Sequence, residues 1–203
     1  MSVVVLVRHG RTAWNRTRFL GRRDVPLDDV GTGQALRAGT DAAALLAGTA
    51  GPVTVWSSPL QRARTTAAPV AAALGVPVRL HDDLVELDCG AWEGREKAEV
   101  GRKVSKLPPD EPVPGGESAA DAWARLHRFL ADAGLDRGGH DPAVVVGHHL
   151  VNKLLRAALV GEPVDGALGS AAYRPAPGSV VLVDRVTGAL THVPTDAPVA
   201  VAP

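Results

Sequence analysis

The apolar positions of the chain fall into two rhythms. Val3 to Val7, Val53 to Trp56 and Ala143 to Val146 are short β-branched runs without a regular polar alternation. A strand with one wet face alternates apolar and polar side chains, so an unbroken run predicts a strand covered on both faces, central in a parallel sheet. Between and after these runs, apolar residues recur at helical spacing over Val30 to Leu46, Leu60 to Leu74, Ala119 to Ala133 and Leu150 to Val160. Ser58-Pro59 offers the second of these helices an N-cap and a first-turn proline. Pro69, inside the same pattern, lacks the N–H of one helical bond and is expected to bend or split the helix. Strand and helix thus alternate, as in an α/β fold with a mostly parallel central sheet.

Val76 to Leu80 reads as a further short strand, and Val180 to Asp184 pairs with Ala189 to Val193 through Thr187-Gly188, best placed at a sheet edge. Arg95 to Ser118 is first charged, then rich in proline and glycine (Pro108, Pro109, Pro112, Pro114, Gly115, Gly116). That composition is poor core material and predicts a flap-like insertion over about 95–118. No repeat or low-complexity linker divides the chain, and its 203 residues suit a single domain over 1–203.

Composition then removes several functions. The 22 Lys and Arg balance the 22 Asp and Glu, so no global field gathers nucleic acid or a membrane surface. Neither is expected as a partner, a homodimer stays open, and any anion has to be recognised locally. Cys89 is the single cysteine, and no window reads as a signal peptide or membrane span, so a cytoplasmic protein is expected. His148 and His149 are adjacent, which is not a chelating spacing, and no His-Glu-x-x-His or cysteine pair exists; no metal and no other cofactor is expected. Gly31-Thr32-Gly33 lacks the third glycine of a dinucleotide fingerprint and follows no strand, so it is expected to open a helix.

In open parallel sheets ligands sit outside the carboxyl ends of the strands. Arg8 and His9 directly follow the first apolar run, Arg62 follows the second by less than two helical turns, and His148 follows the third after Gly147. Two guanidiniums and two imidazoles converging there suit an anion, with a phosphoryl group the leading candidate. A neutral imidazole is nucleophilic at pH 7 once its other nitrogen has a fixed acceptor. Phosphoryl transfer needs alignment and fixed positive charge around the equatorial oxygens, and a leaving alkoxide needs a proton that a carboxylic acid can give. Asp82, Asp83, Glu86, Asp88 and Glu93 all compete for that last role. His148 is preferred to His149 because adjacent side chains of an extended segment face opposite ways.

The blocks LVRHGRTAWN, FLGRRDVPL, SSPLQRARTTA, LVELDCGAWEG, PGGES and VVVGHH, in this order, resemble the histidine phosphatase superfamily, in its phosphoglycerate mutase-like branch 1. The resemblance implies a three-layer α/β/α sandwich. It implies that His9 is the nucleophile that becomes phosphohistidine, that Arg8, Arg62 and His148 hold the phosphoryl oxygens, and that Glu86 is the proton donor. Asn15 then adds a hydrogen bond to phosphate or closes the turn after the first strand, and Gly21 belongs to the substrate-binding loop. Two positions depart from the family pattern. His149 stands where many relatives have glycine, so it either turns only its amide inward or contacts substrate itself. Leu20 stands where a polar residue often precedes the glycine.

The expected function is therefore metal-independent hydrolysis of a small phosphorylated metabolite through phosphohistidine. Arg11-Thr12 replaces the Glu-Ser common after Arg-His-Gly in phosphoglycerate mutases, and LVELDCGAWEG follows the phosphatase style. The alternatives are a cofactor-dependent phosphoglycerate mutase and a non-catalytic phosphate-binding protein on the same scaffold.

Overall fold

The computed structural model describes residues 2–136, 141–170 and 173–193. Six strands, β1 (Val3–Arg8), β2 (Thr54–Ser57), β3 (Val78–Leu80), β4 (Ala143–Gly147), β5 (Val180–Asp184) and β6 (Leu190–His192), form one sheet ordered β3-β2-β4-β1-β5-β6. The first four are mutually parallel, while β5 runs antiparallel to β1 and β6 antiparallel to β5. The sheet is mostly parallel, as expected. The terminal pair is only half an edge: β6 closes the sheet, but β5 lies inside it and pairs along β1 from Val3↔Asp184 to Val7↔Val180. Val180, Val181 and Val183 are buried there, and they complete both faces of β1.

Helices α1 (Asp29–Leu46) and α2 (Gln61–Leu74) cover one face; α4 (Ala119–Asp132), α5 (His149–Val160) and α6 (Val164–Gly169) cover the other, with the single turn α3 (Lys97–Val100) between α2 and α4 in sequence. The period of two along β1 sorts the layers. Val3, Val5 and Val7 pack with Ala38, Ala42, Ala63, Ala67 and Val70, while Val4 and Leu6 pack with Leu126, Phe129, Val151 and Leu154. No helix among the described residues is long and apolar enough to cross a membrane.

Helix α2 is not split at Pro69 and packs closely on α1, where a Cβ on Gly39 would lie 2.6 Å from the Pro69 carbonyl oxygen; the N-cap expected at Ser58 is corrected. Its N-cap is Leu60, without a side-chain cap bond. Ser58 is turned toward the sheet, accepting only a long 3.3 Å bond from Leu60 N–H, and Asp24 caps from another loop by accepting from Gln61 N–H at 2.6 Å. The segment 95–118 also contributes side chains to the core. Val104, Leu107 and Val113 are buried in the core beside α4 to α6, because short turns let single apolar residues dip inward between the prolines.

The helix opening at Gly31 is present, with Asp28 capping Gly31 N–H at 2.8 Å. This end of α1 presses on the loop after β1. A Cβ on Gly10 would meet the Gly31 carbonyl oxygen at 2.3 Å, and one on Gly31 would meet the Arg11 carbonyl oxygen at 2.0 Å. Gly31→Ala is therefore expected to destabilise by about 1–3 kcal/mol, overpacking outweighing the better helix propensity of alanine. A urea midpoint unchanged or raised by this substitution would show that the approach is not close.

Candidate active site

The sheet order places the carboxyl ends of β2, β4 and β1 side by side. Ser57 is level with Val146, and Arg8 with Gly147. The next residue of each strand leaves the sheet at the same place: Ser58 N–H donates to the Val146 carbonyl at 3.1 Å, and His9 N–H to the Gly147 carbonyl at 3.0 Å. The His9 and His148 rings consequently lie with centroids 5.2 Å apart, both buried.

His9 Nδ1 sits 2.7 Å from the Gly10 carbonyl oxygen. A carbonyl only accepts, so Nδ1 carries the proton and Nε2 is left as the lone-pair nitrogen. Gly10 is itself fixed, its N–H donating to Thr66 Oγ1 at 3.0 Å while that hydroxyl donates to the Arg62 carbonyl at 2.8 Å. Burial, then the Arg8 and Arg62 charges, hold the His9 pKa well below the ordinary histidine value. Burial followed by Arg62, His9 and Arg8 does the same to His148. Two neutral imidazoles therefore share the site.

Arg62 is fully buried and donates from Nη1 to the Arg23 carbonyl at 2.6 Å and from Nη2 to the Gly21 carbonyl at 2.7 Å. Burial lowers its pKa, with Glu86, Asp24 and Glu93 opposing. Gly21 must be glycine here, since its φ is +49° and a Cβ would lie 2.0 Å from Glu93 Oε1. Arg8 donates to the Pro175 carbonyl at 2.8 Å, and burial lowers its pKa to about 10 against the partial opposition of Glu86.

The Glu86 carboxylate accepts from the N–H groups of Leu87 at 3.0 Å, Leu150 at 3.3 Å and Val151 at 3.3 Å. Leu150 and Val151 open α5, whose N-cap His148 makes no side-chain cap bond. Glu86 thus caps α5 from a remote loop and is tied to the backbone next to His148. The first amide of α5, His149 N–H, has no partner among the described residues, which leaves a donor at a helix N-terminus for an anion.

Arg8, His9, Arg62 and Glu86, with Lys97 and Lys103 from the 95–118 segment, help line one cavity of about 460 Å³. Asn15, Leu20, Gly21 and His149 also reach its wall. His148 does not; it is fully buried and meets the site through the His9 ring. Asn15 closes the turn, its Oδ1 accepting from Thr12 N–H at 2.7 Å, while part of the residue still faces the cavity. His149 Nδ1 donates to the Pro175 carbonyl at 3.3 Å, and burial followed by Arg8 lowers its pKa to about 4. Among the described residues no three His, Cys, Asp or Glu side chains gather as a metal site.

Sequence reasoning missed the residues that hold these groups in place. Ser58 and Thr66 touch the two histidines or their turn, and Glu117 of PGGES receives Arg125 twice, at 2.8 and 3.0 Å, and Arg22 at 3.3 Å. Arg22 Nε in turn reaches the Glu86 carbonyl at 3.4 Å, so this ion network braces the Glu86 loop. The signal was available only in the spacing Arg62-x-x-x-Thr66, which puts both residues on one helix face.

The buried neutral histidines dictate a pH dependence of stability. Their folded pKa lies below the unfolded one, so the unfolded chain binds more protons and stability falls as pH drops below about 6.5. His9, His148 and His149 each add a slope of up to about 1.4 kcal/mol per pH unit. Urea midpoints between pH 7 and 5 should fall steeply, and less so in His148→Gln; a flat profile would mean that these rings are not desolvated.

The sequence profile of the histidine phosphatase superfamily (branch 1) matches residues 4–192. The bifunctional protein Rv2228c of Mycobacterium tuberculosis is 39% identical over 168 residues, 77% of this chain but 44% of that protein, so the chain spans under half the length of that relative. The "Probable phosphoglycerate mutase GpmB" of Salmonella paratyphi C is 34% identical over 171 residues, 80% of this chain and 77% of that protein. Among solved structures, the mycobacterial glucosyl-3-phosphoglycerate phosphatase Rv2419c superposes with a TM-score of 0.74 at 26% identity, covering 94% of this chain and 96% of that one. With the profile running from the first strand to the last, this chain belongs to the histidine phosphatase superfamily, branch 1.

Proposed function

We propose that the chain is a metal-independent phosphatase that hydrolyses a small phosphomonoester through a phosphohistidine on His9. The observation that carries this reading is the pinned tautomer of His9: Nδ1–H is held by the Gly10 carbonyl at 2.7 Å, and Nε2 is left as a neutral nucleophile between two guanidiniums. His9 Nε2 attacks phosphorus, an N–P bond forms and the P–O bond to the leaving alkoxide breaks. Arg8, Arg62 and the free His149 N–H face the equatorial oxygens, and Glu86 gives the alkoxide its proton. Water then attacks phosphohistidine, Glu86 takes a proton from it, and inorganic phosphate leaves with His9 neutral again.

The likeness to a glucosyl-3-phosphoglycerate phosphatase structure supports this reading, and so does a cavity partly lined by the 95–118 segment. The GpmB relative favours a second reading, a phosphoglycerate mutase. Para-nitrophenyl phosphate turnover in EDTA, with an acid-labile, base-stable label after quenching on a radioactive phosphomonoester, is the expected result. Interconversion of the two monophosphoglycerates, stimulated by bisphosphoglycerate and without net phosphate release, would establish the mutase instead.

A further inference from the structure

His148 is fully buried, yet only one of its ring nitrogens is partnered. Nε2 lies 2.8 Å from Ser58 Oγ, and Nδ1 is buried without a partner. Ser58 is equally buried. A hydroxyl has one proton to donate and two lone pairs to offer. One lone pair of Ser58 receives Leu60 N–H at 3.3 Å, and no other acceptor lies within reach of its proton among the described residues. Were His148 Nε2 to donate to Ser58, the hydroxyl proton would be left unpartnered in a dry site, which is costly. The reverse arrangement leaves fewer atoms unpaired: Ser58 O–H donates to Nε2, the ring proton moves to Nδ1, and that N–H is the one group of the pair still without a partner.

We propose that Ser58 is a positioning residue that fixes His148 as the neutral Nδ1–H tautomer, so that the unpartnered nitrogen of the ring packed against His9 is a donor and not a lone pair. The inference rests on the phosphatase reading for its purpose, though not for its geometry. The neighbouring rings are thereby given opposite tasks without either being charged. His9 has its Nδ1–H tied to Gly10 and shows the site a lone pair; His148 has Nε2 tied to Ser58 and offers an N–H. Neutrality fits the surroundings, since burial, then the Arg62, His9 and Arg8 groups and lastly Arg125, disfavours a cation on His148.

The assignment is reached from the strand order. Because β2 and β4 are neighbours and end together at Ser57↔Val146, the residues one and two steps beyond, Ser58 and His148, are delivered to each other. No sequence motif for a serine-histidine pair is needed, and the two lie 90 residues apart.

Long-range proton–nitrogen correlation spectra of the 15N-histidine-labelled wild-type protein, assigned with His148→Gln, test this directly. The expected signature is a pyrrole-type Nδ1 and a pyridine-type Nε2 for His148 at pH 7. In Ser58→Ala the two nitrogens should move toward an averaged pattern, and kcat should fall roughly tenfold, the loss expected for one weakened hydrogen bond. A pyridine-type Nδ1 in the wild type, an imidazolium with two pyrrole-type nitrogens, or a His148 pattern unmoved by Ser58→Ala would overturn the proposal. Absence of turnover on every phosphomonoester together with the expected wild-type signature would remove the phosphatase reading and leave the tautomer assignment in place.

Discussion

His9→Ala is expected to abolish phosphomonoester turnover, by on the order of 10⁴- to 10⁶-fold in kcat, because it removes the atom that forms the bond to phosphorus rather than one of several groups around it. The size of the loss follows from the division of labour in the site. Arg8 and Arg62 stay in place without the ring, since their anchors are the carbonyls of Pro175, Gly21 and Arg23. The variant should therefore still bind inorganic phosphate and be stabilised by it thermally, while making no acid-labile phosphoprotein. Binding kept with chemistry lost is the pattern of a nucleophile. If His9→Ala keeps turnover within tenfold of the wild type, the phosphohistidine pathway is wrong.

The central sheet was legible because parallel strands covered on both faces cannot hide their signature. The runs at Val3, Val53 and Ala143 became β1, β2 and β4 within a residue or two. Strand order was not legible, and it is what makes the site. Nothing in the local sequence says that β4 inserts between β1 and β2, yet that insertion brings Ser58, His148 and His9 together. Arg8, His9, Arg62 and Glu86 could be picked out as charged or titratable groups at strand ends or in a family block. Ser58, Thr66 and Glu117 could not, since each acts through a hydrogen bond to a partner remote in sequence, and an isolated serine or threonine carries no such label.

Local propensity is weak beside tertiary packing at two places: α2 continues past Pro69, whose carbonyl Gly39 receives closely, and Val104, Leu107 and Val113 of the proline-rich stretch after Arg95 find the core. Charge shows the same locality. The chain is formally neutral overall, while Arg8, Arg62, Lys97 and Lys103 line a cavity with Glu86 as the one carboxylate on its wall among the described residues. A neutral protein can still hold a strongly cationic site.

Arg62→Ala should lower kcat/KM by about 10³-fold or more, the scale of losing a guanidinium that stabilises charge in phosphoryl transfer. Two effects compete in stability. The variant strips the buried Gly21 carbonyl of its donor, which costs about 1–3 kcal/mol; it also removes a cation with no exposure to solvent, which relieves desolvation and its repulsion of Arg8. The net change in unfolding free energy should be small beside the kinetic loss. Arg62→Lys separates charge from geometry, because an ammonium keeps the charge but cannot present the planar fork that reaches the Arg23 and Gly21 carbonyls and a phosphoryl oxygen together. Lysine is expected to recover only a minor part of the activity. Both variants should also let His9 protonate more readily, since Arg62 is among the charges that hold its pKa down and lysine places its charge elsewhere. A kcat/KM reduced less than tenfold in Arg62→Ala, with stability clearly lost, would make this arginine a clamp for the Gly21 loop and not a ligand of phosphate.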